Sequence, residues 1–177
     1  MRTTPHPPFA RSTLVSAALL PLLLLVPATL RAADTEPFDA ESAFAQLKEL
    51  AGTWTGSSGG MRMEVTSAGH TIEQTVFPGG PHEMKTLFFL DQGSLIGQHY
   101  CALGNQPRLR FEPSDEAGLI RLVLDGGTNL DPERDYHVRA GLFRLLPGDR
   151  LESTWTFFDN GELEQVQTFE LERAANE

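Results

Sequence analysis

The chain has 177 residues, with 24 acidic side chains against 14 Lys and Arg and a formal net charge of −10. That balance argues against nucleic acid or an anionic membrane surface as a partner, since both call for basic patches. The length suits one domain with a core of useful size, and the lone cysteine, Cys101, leaves no internal disulfide to brace it.

Residues 1–32 read as a signal peptide. Arg2 and Arg11 precede an apolar run from Leu14 to Val26, and small residues follow at Ala32 and Ala33. The run is shorter than the roughly 20 residues of a spanning helix. Pro21 and Pro27 interrupt it as well. The expectation is export to the periplasm or beyond, with no membrane attachment once the leader is removed; a retained anchor is the alternative. Removal takes away Arg2, Arg11 and Arg31, which moves the net charge from −10 to −13.

Residues 33–177 are expected to form one domain. After the polar lead DTEPF comes DAESAFAQLKELAG, which predicts a helix over about 40–51. Asp39 or Ser42 can cap its start, Gly52 can end it, and Phe44, Leu47 and Leu50 recur at helical spacing.

From residue 53 onward the pattern becomes that of strands. The first opens within LAGTWTG. MRMEVT, TIEQTVF, MKTLFFL, LIGQHYCAL, RLRFE, LIRLVLD, YHVRAGLFRLL, RLESTWTFF and ELEQVQTFELE then follow in turn. Pro, Gly, Asn and Asp punctuate the gaps. Nine or ten consecutive strands without helical pattern between them predict an all-β antiparallel up-and-down barrel over about 53–173. Closure removes the exposed edges that an open sheet would leave. In MKTLFFL both faces are apolar, so the outside needs cover. The N-terminal helix can cover one strand; LFRLL and TFF need loops or a homodimer partner.

LAGTWTG (50–56) resembles the opening of the calycin barrels: lipocalins, fatty-acid-binding proteins and nitrobindins. The resemblance implies that Trp54 packs across the closed end. Together with FPGGPHEMKT, HYCALGNQPR, GGTN and a last strand after DNGE, it is similar to a family of exported bacterial lipocalin-like proteins of unknown function. The likeness covers most of residues 44–172 and implies a fold and a compartment but no reaction.

HYCALGNQPRLR (99–110) concentrates hydrogen-bonding and charged groups. With GNQP as the turn, Leu103 pairs with Arg108, Cys101 with Arg110 and His99 with Glu112. Alternation then puts His99, Cys101, Arg108, Arg110 and Glu112 on one face and Gln98, Tyr100, Ala102, Leu109 and Phe111 on the other. Two readings stay open. The charged face lies in water, or it looks into the barrel, where an arginine must meet an anion. The candidate ligand-binding residues are His99, Cys101, Asn105, Gln106, Arg108, Arg110 and His137. Gln165 and Gln167 offer interior amides or a mixed outer face.

A nucleophilic Cys101 is weakly supported, because His99 on the same face sits roughly 6.5–7 Å away along the strand. His82, His99, His137 and Cys101 show no metal-ligand spacing. Haem, as held by nitrobindins, is not expected, since no histidine follows His137. Asp131, Glu133 and Asp135 read as a solvated turn rather than a calcium loop. No cofactor and no catalytic residue is assigned. The leading expectation is binding of a small apolar or amphipathic ligand with an anionic or polar end. The alternatives are a small-molecule enzyme using His99, Cys101 or His137, and a surface interaction module with a filled barrel.

Overall fold

The computed structural model describes residues 38–116 and 118–175. The signal-peptide expectation for residues 1–32 lies outside them. One helix, α1 (Ala40–Glu49), precedes ten strands: β1 (Gly52–Gly56), β2 (Gly59–Thr66), β3 (Thr71–Val76), β4 (Met84–Asp91), β5 (Ser94–Tyr100), β6 (Gln106–Glu112), β7 (Leu119–Thr128), β8 (His137–Leu146), β9 (Arg150–Asp159) and β10 (Glu162–Arg173). A single turn of 3-10 helix at Ser67–Gly69 links β2 to β3. Every strand pairs antiparallel with its neighbour in sequence, and β10 returns to pair with β1. This is the predicted closed up-and-down barrel, with ten strands.

Asp39 starts α1, its carboxylate accepting from the Ser42 amide at 2.8 Å. The amphipathic pattern buries Ala43, Phe44 and Leu47, and Leu50 follows at the C-cap. These residues join one core with Trp54, Phe88, Leu109, Ile120, Phe143 and Leu171. The helix therefore plugs one end of the barrel instead of covering an outer strand. Gln46 Nε2 donates to the Gly118 carbonyl at 2.7 Å, tying the plug to the β6–β7 turn. Among the described residues no helix is long and apolar enough to cross a membrane.

Period-two alternation sends Met61 and Met63, then Ile72 and Gln74, then Thr86 and Phe88 inward. Two inward positions are glycine because an aromatic ring occupies the space. A β-carbon on Gly97 would stand 2.9 Å from the Phe88 ring, and one on Gly141 would stand 2.9 Å from the Trp155 ring. Outside, Ile96 is fully buried although it lies outside the main core; its register neighbours are Phe89 and Arg110. Long side chains thus cover apolar outer positions.

The β5–β6 hairpin differs from its expected pairing. The turn spans Cys101 to Asn105, where the Cys101 amide donates to the Asn105 carbonyl at 3.1 Å and Gly104 takes φ +92°. Gln98 then pairs with Arg108, Gly97 with Leu109 and Ile96 with Arg110. Relative to the expected register this is a slip by an odd number of residues, which exchanges the faces of one strand. His99 consequently shares the interior with Leu109 and Phe111. Arg108 and Arg110 share the exterior with Gln98. Burying His99 with Leu109 and Phe111 while Tyr100 stays exposed fits this register and not the one centred on GNQP, which would put Tyr100 on the face of Leu109 and Phe111.

Candidate functional site

The end of the barrel opposite α1 is open. A cavity of about 400 Å³ enters there. This is within the usual size range of small-molecule sites. Its apolar wall comes from Val76, Phe77, Met84, Val138, Trp155, Phe157 and Phe169, and its polar groups from Ser58, Gln74, His99, Gln165 and Gln167. None of these is a lysine, an arginine or a carboxylate.

The aromatic rings are held by neighbours. Trp155 stands edge-on to Phe143 with centroids 5.7 Å apart, and its Nε1 donates to Ser153 Oγ at 2.9 Å. Tyr136 stacks on Phe157 at 5.5 Å, and Phe77 meets Phe169 edge-on at 5.8 Å. Near the mouth, Tyr136 Oη donates to Gln165 Oε1 at 3.2 Å and Gln165 Nε2 to Gln167 Oε1 at 3.3 Å.

Deeper in, a polar row crosses three adjacent strands. Gln74 on β3 is opposite Thr86 on β4, and Thr86 is opposite His99 on β5. All three side chains are buried. Thr86 Oγ1 and His99 Nδ1 are hydrogen-bonded at 2.9 Å, and Gln74 Nε2 donates to Met61 Sδ at 2.9 Å. His99 Nε2 and Gln74 Oε1 are buried and have no hydrogen-bond partner among the described residues. Buried polar atoms are rarely left so. Burial lowers the His99 pKa from 6.5 to about 4, because a charged imidazole would lose its hydration. His99 is therefore neutral at ordinary pH.

Of the residues singled out in the hairpin, only His99 lines this cavity. Arg108 Nη2 donates to Asp91 at 3.0 Å, and Arg110 makes two hydrogen bonds to Asp125, at 2.7 and 3.1 Å, on the outer face. The Arg110 hydrogen bonds, with the two guanidinium charges, hold the Asp125 carboxyl below the usual carboxylate range. These arginines meet acids of the chain outside the barrel, not an internal anion. Glu112, expected opposite His99, pairs with Arg121 instead.

Cys101 is half-buried in the turn, where the Leu103 amide lies 3.5 Å from its sulfur. Asn105 donates to the Tyr136 carbonyl at 2.8 Å, and Gln106 to the Gly104 carbonyl at 2.7 Å, so both brace the loops around the mouth. His137 is buried on the opposite side of the wall from Val138; its Nδ1 lies 2.7 Å from the Asp135 carbonyl oxygen. Trp54 lies at the closed end, its Nε1 donating to the Leu50 carbonyl at 2.8 Å. Among the described residues, no three His, Cys, Asp or Glu side chains group as metal ligands would.

Compared with known proteins, the chain matches no family model and no curated sequence. The barrel is consistent with a calycin-like architecture. Gln74 and Thr86 were not singled out from the sequence. The signal was present: each is a polar residue at the middle of an otherwise apolar inward triplet, Ile72–Gln74–Val76 and Met84–Thr86–Phe88.

Proposed function

We propose that this protein is an exported lipocalin-like barrel that binds a small, partly apolar molecule in its open-end cavity. One observation carries the reading. Two polar atoms without partners, His99 Nε2 and Gln74 Oε1, belong to residues lining a cavity whose walls are otherwise mainly aliphatic and aromatic. A ligand burying its apolar body against those walls and bonding one of these atoms at the floor would gain both terms. The open cavity counts against a barrel filled by its own side chains. His99 does not favour an enzyme. Its side-chain partner is a threonine hydroxyl rather than a carboxylate or a thiol, and its low pKa makes it a poor base at neutral pH.

Native mass spectrometry of the protein purified from its own host tests the binding. The expected result is a one-to-one adduct that disappears on denaturation. A bare polypeptide mass in every preparation would remove the reading. The same spectra test export: a mass starting at Ala33 or Asp34 supports it, and a mass retaining the Leu14–Val26 run contradicts it.

A further inference from the structure

Resting on that binding reading, we propose that the cavity selects an uncharged, ring-bearing ligand whose polar end is a hydroxyl, and that it rejects carboxylates.

Charge comes first. With no lysine or arginine on its wall among the described residues, the cavity offers no cation there to an entering carboxylate. His99 does not supply one, since its burial keeps it neutral. An anion would lose its hydration without an ion pair in return. A cationic ligand fares no better, because among the described residues no carboxylate lines the wall.

Hydrogen bonding narrows the class further. Gln74 turns its amide nitrogen to the Met61 sulfur, an arrangement its oxygen could not share, and so leaves Oε1 as an acceptor. A carboxylate only accepts and gains nothing there. A hydroxyl does better with either imidazole tautomer. If Thr86 donates to His99 Nδ1, then Nε2 carries the proton and donates to the ligand oxygen while the ligand proton goes to Gln74. In the other tautomer the ligand proton goes to Nε2. A ring system in the ligand is favoured by Phe77, Trp155, Phe157 and Phe169, whose faces and edges are already fixed by neighbours.

The test is a matched series near neutral pH: 2-naphthol, 2-naphthoate and naphthalene, titrated against the folded protein while tryptophan emission is followed. The chain has two tryptophans, so a Trp155→Phe variant identifies the reporter. Near neutral pH the phenol stays protonated and the carboxyl is ionised. The expected result is one site, with 2-naphthol bound at least about tenfold tighter than 2-naphthoate. His99→Leu and Gln74→Leu should each shrink the advantage of 2-naphthol over naphthalene several-fold. Equal or tighter binding of 2-naphthoate would overturn this inference and leave the cavity reading standing. So would 2-naphthol binding no better than naphthalene. Failure of all three probes to bind would overturn both.

Discussion

The Arg173 guanidinium lies over the Trp54 ring, 4.3 Å from its centroid, at the closed end of the barrel. The two residues are also register partners across the β1–β10 seam that closes the sheet. Arg173 Nη1 donates to the Ala51 carbonyl at 2.6 Å and Nη2 to the Glu49 carbonyl at 2.9 Å. One side chain thus joins the last strand, the first strand and the C-terminal end of the plugging helix, where a cation is favoured. Arg173→Ala should cost roughly 2 kcal/mol, combining a cation–π contact with hydrogen bonds from a charged donor. Arg173→Lys should fall between the two, since an ammonium lacks the planar fork. Midpoints of urea unfolding check both.

His99 makes stability depend on pH. Its folded pKa of about 4 lies below the ordinary 6.5, so between those values the unfolded chain takes up a proton that the folded chain refuses. Stability is therefore complete above the ordinary pKa and declines as pH falls from about 6.5 to about 4. The gap corresponds to roughly 3 kcal/mol. The His99→Gln variant should lose this part of the slope. Unfolding free energies for both proteins, measured across that interval, give the difference, which cancels the shared carboxylate titrations.

Gly141 makes room for Trp155. A β-carbon there would press on the indole at 2.9 Å. The Gly141→Ala variant should lose about 1–3 kcal/mol from overpacking. It should also push the ring into the cavity and weaken any cavity ligand. Thermal melting reads the first effect, and competition with a bound probe reads the second.

Arg110 gives the opposite expectation. Its guanidinium is on the outer face with Asp125, and its stem lies beside the buried Ile96. Arg110→Met keeps the apolar cover and removes an exposed ion pair. The change in stability should stay within about 0.5–1 kcal/mol, and ligand affinity should not move. Calorimetry and a probe titration on the same sample check both.

The strands were legible because most repeat at period two between turn residues, and the helix was legible from Phe44, Leu47 and Leu50, whereas its place as an end plug rather than an outer cover was not. The faces of the hairpin were assigned wrongly for a local reason. Within β5 and β6 the alternation was read correctly, but the turn begins at Cys101, several residues before GNQP. Joining two correctly read strands with an odd slip put His99 on the same face as Arg108 and Arg110, so that all three would go into water or into the barrel together, whereas the observed register separates them. The true neighbours of His99, Thr86 and Gln74, are 13 and 25 residues away in sequence and adjacent only through the registers of β3, β4 and β5. No local motif carries such a row. For Gln165 and Gln167 the sequence left interior amides and a mixed outer face both open, and the cavity wall includes both residues.

The imidazole nitrogens of His99 offer the most direct test of ligand binding at the barrel floor. The probe is N-phenyl-1-naphthylamine, uncharged and carrying one N–H donor, added to nitrogen-labelled protein near neutral pH and followed by long-range proton–nitrogen NMR. The expected result is a neutral His99 ring whose Nε2 resonance moves to a new, saturable position at one equivalent, while those of His70 and His82 stay in place. Either no saturable binding, or binding that leaves the His99 ring unchanged, would contradict it.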